Sequence, residues 1–454
     1  MTDLDVRVDP PRAQLLRRAA PALLGYAAVR VLGLAVLAAW SAARGKSAYT
    51  LLTARWDSLW YSRVAGPGYG YEVRLPNGDV HSDLAFFPLL PWLERLLHAI
   101  SPLSYADAGF VVSLIASLAA AWGIFAVADL VHGRGAEGRG AWPLRGGGGR
   151  RAEEGRGARP MRGGGRRVGV CAVLLWAVLP VGIVQSMAYS ESLFTALAAW
   201  SLYAVLTGRW VSAGVLAALA GLTRPVGLAV VAAVWVAGVT SFVRDRSTRG
   251  ARAERVTATG GAQEAPRASS STGGAREETH APVLAAGAPA WRRAFGMLLA
   301  PVGTAGYVLW VGHRTGGGLL GYLDVQAGWR NGFDGGYAFA RFVADKFSSF
   351  PSALAGAGLT VGVALLIWLY VTGVRQRQPV ALLVYTGVVL ALALCASSYF
   401  GSKPRLLMPA FPVLFPLARA LARLRTSRAV LVTAGVAVAT AVYGAFWLNG
   451  SGPP

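Results

Sequence analysis

Arg55-Trp56-Asp57-Ser58-Leu59-Trp60-Tyr61 sets a lone carboxylate among aromatic rings just after the first long apolar run of a 454-residue chain. A carboxylate at the centre of a bilayer costs roughly 2.5–3.5 kcal/mol on insertion scales, so one kept beside a membrane segment belongs to its watery margin and often has a task. Trp60 and Tyr61 follow Asp57 by three and four residues and would share its helix face. With Trp56 they could floor a sugar-sized or headgroup-sized pocket, or simply belong to a helix cap and an interfacial aromatic belt. Arg224 precedes Pro225, and Lys403 and Arg405 flank Pro404, where a helix starts or is interrupted and free backbone amides accompany the cations. That combination suits a phosphate, though an arginine at a span end can also snorkel to the headgroups. Glu191, in Tyr189-Ser190-Glu191-Ser192, opens a helix after a break, either as a cap or as part of a site.

The elements that must position these residues are membrane helices. The chain is 54% hydrophobic and only 15% charged, and its apolar runs approach the bilayer-spanning length of about 20 residues. An all-α, polytopic transmembrane protein of about eleven spans is expected, at roughly 21–43, 108–132, 168–184, 190–207, 209–223, 226–243, 293–313, 353–373, 379–398, 404–422 and 428–448. Segment 84–104, interrupted by Pro88, Pro91 and Pro102 and carrying Glu94 and Arg95, reads as a short interfacial or re-entrant helix. Arg30 falls inside the first span and needs a partner or a watery cavity. That span lacks a small-residue cleavage site, so a retained helix is expected rather than a signal peptide.

A net charge of +22 would suggest nucleic acid in a soluble protein, but here the excess sits in loops and is better explained by orientation. The Gly/Arg stretch 133–167 and the stretch 244–292 read as disordered basic linkers on the cytoplasmic side, beside anionic headgroups. They divide the chain into N-terminal spans 1–132, with an outer loop 44–83, a four-span bundle 168–243, and C-terminal spans 293–454 with an outer loop 314–352. Threading the chain accordingly brings Asp57, Asp83, Glu191, Arg224, Lys403 and Arg405 to one extracytoplasmic face, although the topology was set by the loop arginines alone. Gln326 and Trp329, in the aromatic outer loop, could cover a glycan or lie in an ordinary aromatic belt. Cys171 and Cys395 lie in apolar runs and the five histidines are scattered, so neither a disulfide framework nor a metal site is expected.

Taken in order, Arg55-Trp56-Asp57 with Trp60-Tyr61, Ala65-Gly66-Pro67-Gly68-Tyr69, Phe86-Phe87-Pro88-Leu89-Leu90-Pro91, Tyr189-Ser190-Glu191-Ser192-Leu193-Phe194, Thr223-Arg224-Pro225 and Pro404-Arg405-Leu406-Leu407-Met408-Pro409 resemble the PIG-V-like branch of the GT-C membrane glycosyltransferases. The resemblance implies a multi-pass cell-membrane mannosyltransferase that takes mannose from polyprenyl-phosphate mannose on the extracytoplasmic face, inverts the anomeric carbon and needs no metal or other cofactor. Asp57 would be the catalytic base. Arg224 and Arg405, with Lys403 beside them, would hold the donor phosphate, and Trp56, Trp60, Tyr61, Asp83, Glu191, Gln326 and Trp329 would line the substrates. The long linkers and the Ala/Gly/Arg-heavy usage, like that of a high-GC bacterium, depart from eukaryotic members and leave the acceptor open among lipid, glycan and protein. The rival class is a transporter or flippase of lipid-linked sugars or polysaccharide, which predicts ionisable groups near mid-membrane and pseudo-symmetric halves.

Overall fold

The computed structural model describes residues 12–137, 164–260, 289–397 and 399–450. Long runs rich in Ala, Leu and Val form long helices, the first of which carries Pro21 within it. The N-terminal part comprises α1 (Arg12–Ala43), α2 (Ala48–Thr53), α3 (Asp57–Ala65), the strands β1 (Glu72–Arg74) and β2 (Val80–Ser82), α4 (Leu89–Ile100) and α5 (Tyr105–Glu137). Next come α6 (Gly164–Ala177), α7 (Ser190–Leu206), α8 (Trp210–Gly221) and α9 (Leu228–Gly260). The last part holds α10 (Ala290–Leu299), α11 (Val302–Thr315), α12 (Gly321–Gly328), α13 (Tyr337–Asp345), α14 (Ser352–Arg375), α15 (Val380–Cys395), α16 (Lys403–Leu406), α17 (Phe415–Arg423) and α18 (Thr426–Leu448). This is an all-α multi-pass membrane protein with one short antiparallel hairpin on its surface, pairing Val73 with His81.

Six stretches are long and apolar enough to cross a membrane: Gln14–Ala43, Tyr105–Gly133, Pro225–Ser247, Ala290–Thr315, Ser352–Arg375 and Thr426–Leu448. A seventh counts if Phe400–Leu406 and Phe411–Arg423, bent by 76°, form one span. Among the described residues, length and composition thus mark six or seven of the roughly eleven expected spans. The run 168–184 stops being helical at Ala177, just before Pro180, which cannot donate a backbone hydrogen bond. At a rise of about 1.5 Å per residue, α8 is only about 18 Å long, against a hydrocarbon core of about 30 Å. Almost every residue of α7 is buried against protein, so its apolar character serves the core.

That core lies where α1, α5, α6, α7 and α8 meet, around Ala120, Ile124, Phe125, Trp176, Phe194 and Ala199. Glycines let α6 approach α5 closely. A Cβ on Gly165 would meet the α5 backbone 2.7 Å away, at Asp129 O and Gly133 N. From this core, Trp176 Nε1 donates to Met408 O (3.1 Å) and Tyr385 OH to Pro409 O (2.9 Å), fixing the broken stretch that carries Arg405. Arg30 has its partner here as well. Its guanidinium donates to the carbonyl of Ala177, the last residue of α6, where a cation meets the negative end of a helix, and to that of Gly182 in the turn that follows.

Segment 84–104 forms the short amphipathic α4, with Leu90 and Glu94 buried and Trp92, Leu96 and Ile100 exposed. The expected linkers are narrower than their sequence suggests. Helix α5 runs on to Glu137, α6 starts at Gly164 and α9 extends to Gly260, so 244–260 is helical. The remainder of both linkers, 138–163 and 261–288, lies outside the described residues. The loop 314–352, expected on the outer side, is built into α12 and α13.

Candidate active site

Asp57 opens α3, and the chain reaches it through Trp56, whose φ of 51° is left-handed. A tryptophan there is strained and is kept only because its surroundings hold it. The Arg55 guanidinium covers the Trp56 ring at 3.9 Å. Ser58 Oγ donates to Arg55 O (2.6 Å) and accepts from Arg55 N (3.0 Å), closing the turn. Arg95 Nε donates to Ala65 O (2.8 Å) at the far end of the helix.

Glu191 lies in the first turn of α7. The turn before it is tied down by Ala188 N donating to Leu52 O (3.0 Å) and by Ser113 Oγ donating to Tyr189 O (2.9 Å). Arg224 enters from the end of α8, where Leu89 N donates to Leu222 O (3.0 Å) and joins α4 to the same place. Arg405 comes from α16.

These four charges form one network. Arg405 Nη1 donates to Asp57 Oδ2 at 2.6 Å and lies 3.6 Å from Glu191 Oε1. Arg224 Nη1 lies 2.5 Å from the same Glu191 oxygen and donates to Ser190 Oγ at 3.3 Å. Ser190 Oγ in turn shares a 2.7 Å hydrogen bond with Tyr61 OH. Burial holds the Tyr61 phenol well above its ordinary pKa, so it stays protonated. The Tyr189 ring faces the Arg405 guanidinium at 5.1 Å. The Glu191 side chain is 1% exposed, whereas that of Asp57 is 22% exposed. Asp57 is thus the carboxylate of this cluster most open to an incoming group.

The other expected site residues lie elsewhere. Lys403 is turned away from the cluster. Its Nζ donates to the carbonyls of Ala393 (2.8 Å) and Ala396 (2.7 Å) and lies over the Phe339 and Phe400 rings, so it ties α16 to the end of α15. Two residues of separation from Arg405 put the two side chains in different directions on the α16 turn. Asp83 is fully buried and spends its carboxylate on the amides of Gly70 (3.0 Å) and Tyr71 (2.9 Å), bracing the loop before the hairpin. Burial raises its pKa, partly offset by those amides.

Trp60, Gln326 and Trp329 form a roof layer beside the cluster. Trp60 stacks on Phe86 at 5.5 Å and meets Trp329 edge-on at 4.9 Å. Trp329 stacks on His81 at 4.0 Å and donates to Ser82 O at 3.0 Å. Burial lowers the His81 pKa below its ordinary value, so the ring stacks in its neutral form. Gln326 donates to Tyr322 OH (2.6 Å) and accepts from Asn331 (2.9 Å), leaving its amide engaged within the roof.

Two neighbours of the cluster, Ser190 and Tyr189, were not singled out by the sequence. Ser190 and Tyr189 stand beside Glu191 in the chain, but no spacing argument could couple them to Arg224 and Arg405. Glu94, on α4, has its carboxylate against Gly109 of α5. It is fully buried, and among the described residues neither of its oxygens has a hydrogen-bond partner. Burial drives its pKa far up. Among the described residues, no three His, Cys, Asp or Glu side chains gather into a metal-ligand set. No family model, curated protein or solved structure matches the chain.

Proposed function

We propose that this protein is a membrane glycosyltransferase of the GT-C type that transfers mannose from polyprenyl-phosphate mannose to a hydroxyl of a lipid, glycan or protein on the extracytoplasmic face. The observation that carries the reading is the Asp57–Arg405–Glu191–Arg224 network, a half-open carboxylate beside two arginines, assembled from four distant parts of the chain. Asp57 takes the proton of the acceptor hydroxyl, whose oxygen attacks the anomeric carbon from the face opposite the leaving group. The bond from that carbon to the phosphate oxygen breaks, and the lipid phosphate departs with the electron pair. Arg405 and Arg224 are placed to stabilise the charge that develops on it. In this reading the shorter apolar helices α6, α7, α8 and α15 also cross, which with the bent pair gives the eleven spans expected from the sequence.

Membranes containing the chain, supplied with labelled polyprenyl-phosphate mannose, should pass label to an extractable lipid, a glycan or a protein. Asp57→Asn should lower that transfer by about 10²–10⁴-fold, the usual contribution of a general base. A mannosyl lipid that crosses the bilayer unchanged, with no label transferred, would support the transporter class instead. Full transfer by Asp57→Asn would refute the mechanism, and abolition by EDTA with rescue by manganese would refute its metal-free form.

A further inference from the structure

Arg405 is held by more than a phosphate-binding cation requires. Its guanidinium is shared unequally between two acids, Asp57 at 2.6 Å and Glu191 at 3.6 Å. The pair engages Oδ2 of Asp57, one of the two oxygens of the proposed base, and its charge draws on the same carboxylate that would have to accept a proton. Removing a buried guanidinium from its only acid is strongly disfavoured, because an uncompensated charge remains. Here Glu191 is within a small movement and is itself anchored by Arg224 at 2.5 Å.

We infer that Arg405 is a latch on Asp57 and that Glu191 is the positioning residue that receives it, an inference that rests on the proposed lipid-phosphate donor. The arriving donor phosphate competes with Asp57 for the guanidinium. Arg405 pivots toward the phosphate and Glu191, and Asp57 is released as a base only when the donor is in place. The donor therefore binds before the acceptor is activated. Glu191 acts through Arg405 and touches neither substrate.

The test is binding of farnesyl monophosphate, a short polyprenyl phosphate, to the purified full-length protein in nanodiscs by isothermal titration calorimetry. Because Asp57 competes for Arg405, Asp57→Asn should bind the probe about tenfold more tightly, the lower end of what a charge-assisted hydrogen bond contributes. Glu191→Gln also removes one negative charge but deprives the displaced guanidinium of its second acid, so it should bind the probe more weakly than wild type. A purely through-space charge effect would tighten both variants equally, and that outcome overturns the latch. Should Glu191→Gln fail to fold, Glu191→Asp keeps the charge and withdraws the carboxylate. The latch then requires weaker binding, and unchanged binding refutes it. Saturable wild-type binding with no gain in Asp57→Asn overturns the latch alone. Absence of saturable binding by wild type overturns the donor reading and the latch together.

Discussion

Arg224→Ala and Arg405→Ala remove one guanidinium each from the same network, yet the geometry requires unequal costs. Without Arg224, Glu191 loses its 2.5 Å partner and keeps only Arg405 at 3.6 Å. Its side chain is 1% exposed, so water cannot replace the missing partner. Breaking a buried pair in this way costs about 3–5 kcal/mol. Without Arg405, Glu191 still has Arg224, and the acid left behind is Asp57, which is open enough to regain water. That cost should be nearer 1.5–3 kcal/mol, the range for a charge-assisted hydrogen bond. Equilibrium denaturant unfolding in nanodiscs, followed by tryptophan fluorescence, would rank the two. The orphaned-charge argument makes a second demand, that adding Glu191→Gln to Arg224→Ala restores much of the lost stability. Equal costs for the two alanine variants, or no restoration by Glu191→Gln, would refute the reasoning from burial.

Lys403→Gln should destabilise the α15–α16 corner by about 1–3 kcal/mol, as two carbonyls lose a charged donor, while farnesyl phosphate affinity stays within twofold or so of wild type; a tenfold or greater loss, about 1.4 kcal/mol, would return Lys403 to the phosphate site. His81 has a lowered pKa, so its unfolded form takes up a proton more readily than the stacked ring. The contribution of the His81–Trp329 stack is complete above the unfolded pKa of about 6.5 and declines as pH falls through and below it; a Trp329-dependent fluorescence change confined to pH above 7 would contradict this. Asn77→Cys, exposed at the hairpin tip, should react with an impermeant thiol reagent on intact cells while Gly148→Cys is spared. The reverse pattern would invert the proposed orientation.

The sequence made the helical, membrane-spanning character and the convergence of Asp57, Glu191, Arg224 and Arg405 legible for different reasons. Apolar runs report burial directly. They do not distinguish burial in lipid from burial in protein, so a helix such as α7, buried almost throughout in the protein, reads the same as one facing lipid. The four charged residues were drawn together by loop parity, a constraint that fixes which side a residue reaches but not which neighbour it finds. Lys403 and Asp83 satisfied that parity and still turned to other tasks, holding carbonyls and amides close to them in the chain. The hairpin has its signal in Leu75-Pro76-Asn77-Gly78-Asp79, where Gly78 takes a φ of 88°, a turn motif short beside the dominant helical pattern. The carbonyls that hold Arg30 could not be read at all, because backbone acceptors have no sequence signature.

The Asp57–Arg405 bond joins residues 348 positions apart, which fixes when it can form during biogenesis. At roughly 5–20 residues per second of synthesis, Arg405 leaves the ribosome about 17–70 s after Asp57. The Trp329–Ser82 contact, 247 positions apart, waits for much of the same interval. Throughout that time the nascent chain carries a carboxylate without its arginine, and until residue 329 is made an aromatic layer without Trp329, so both must wait in water and headgroups while later helices insert. Completion of the site is therefore among the last events of assembly. A chain that stalls anywhere before residue 405 can be inserted in the membrane and still have no paired Asp57.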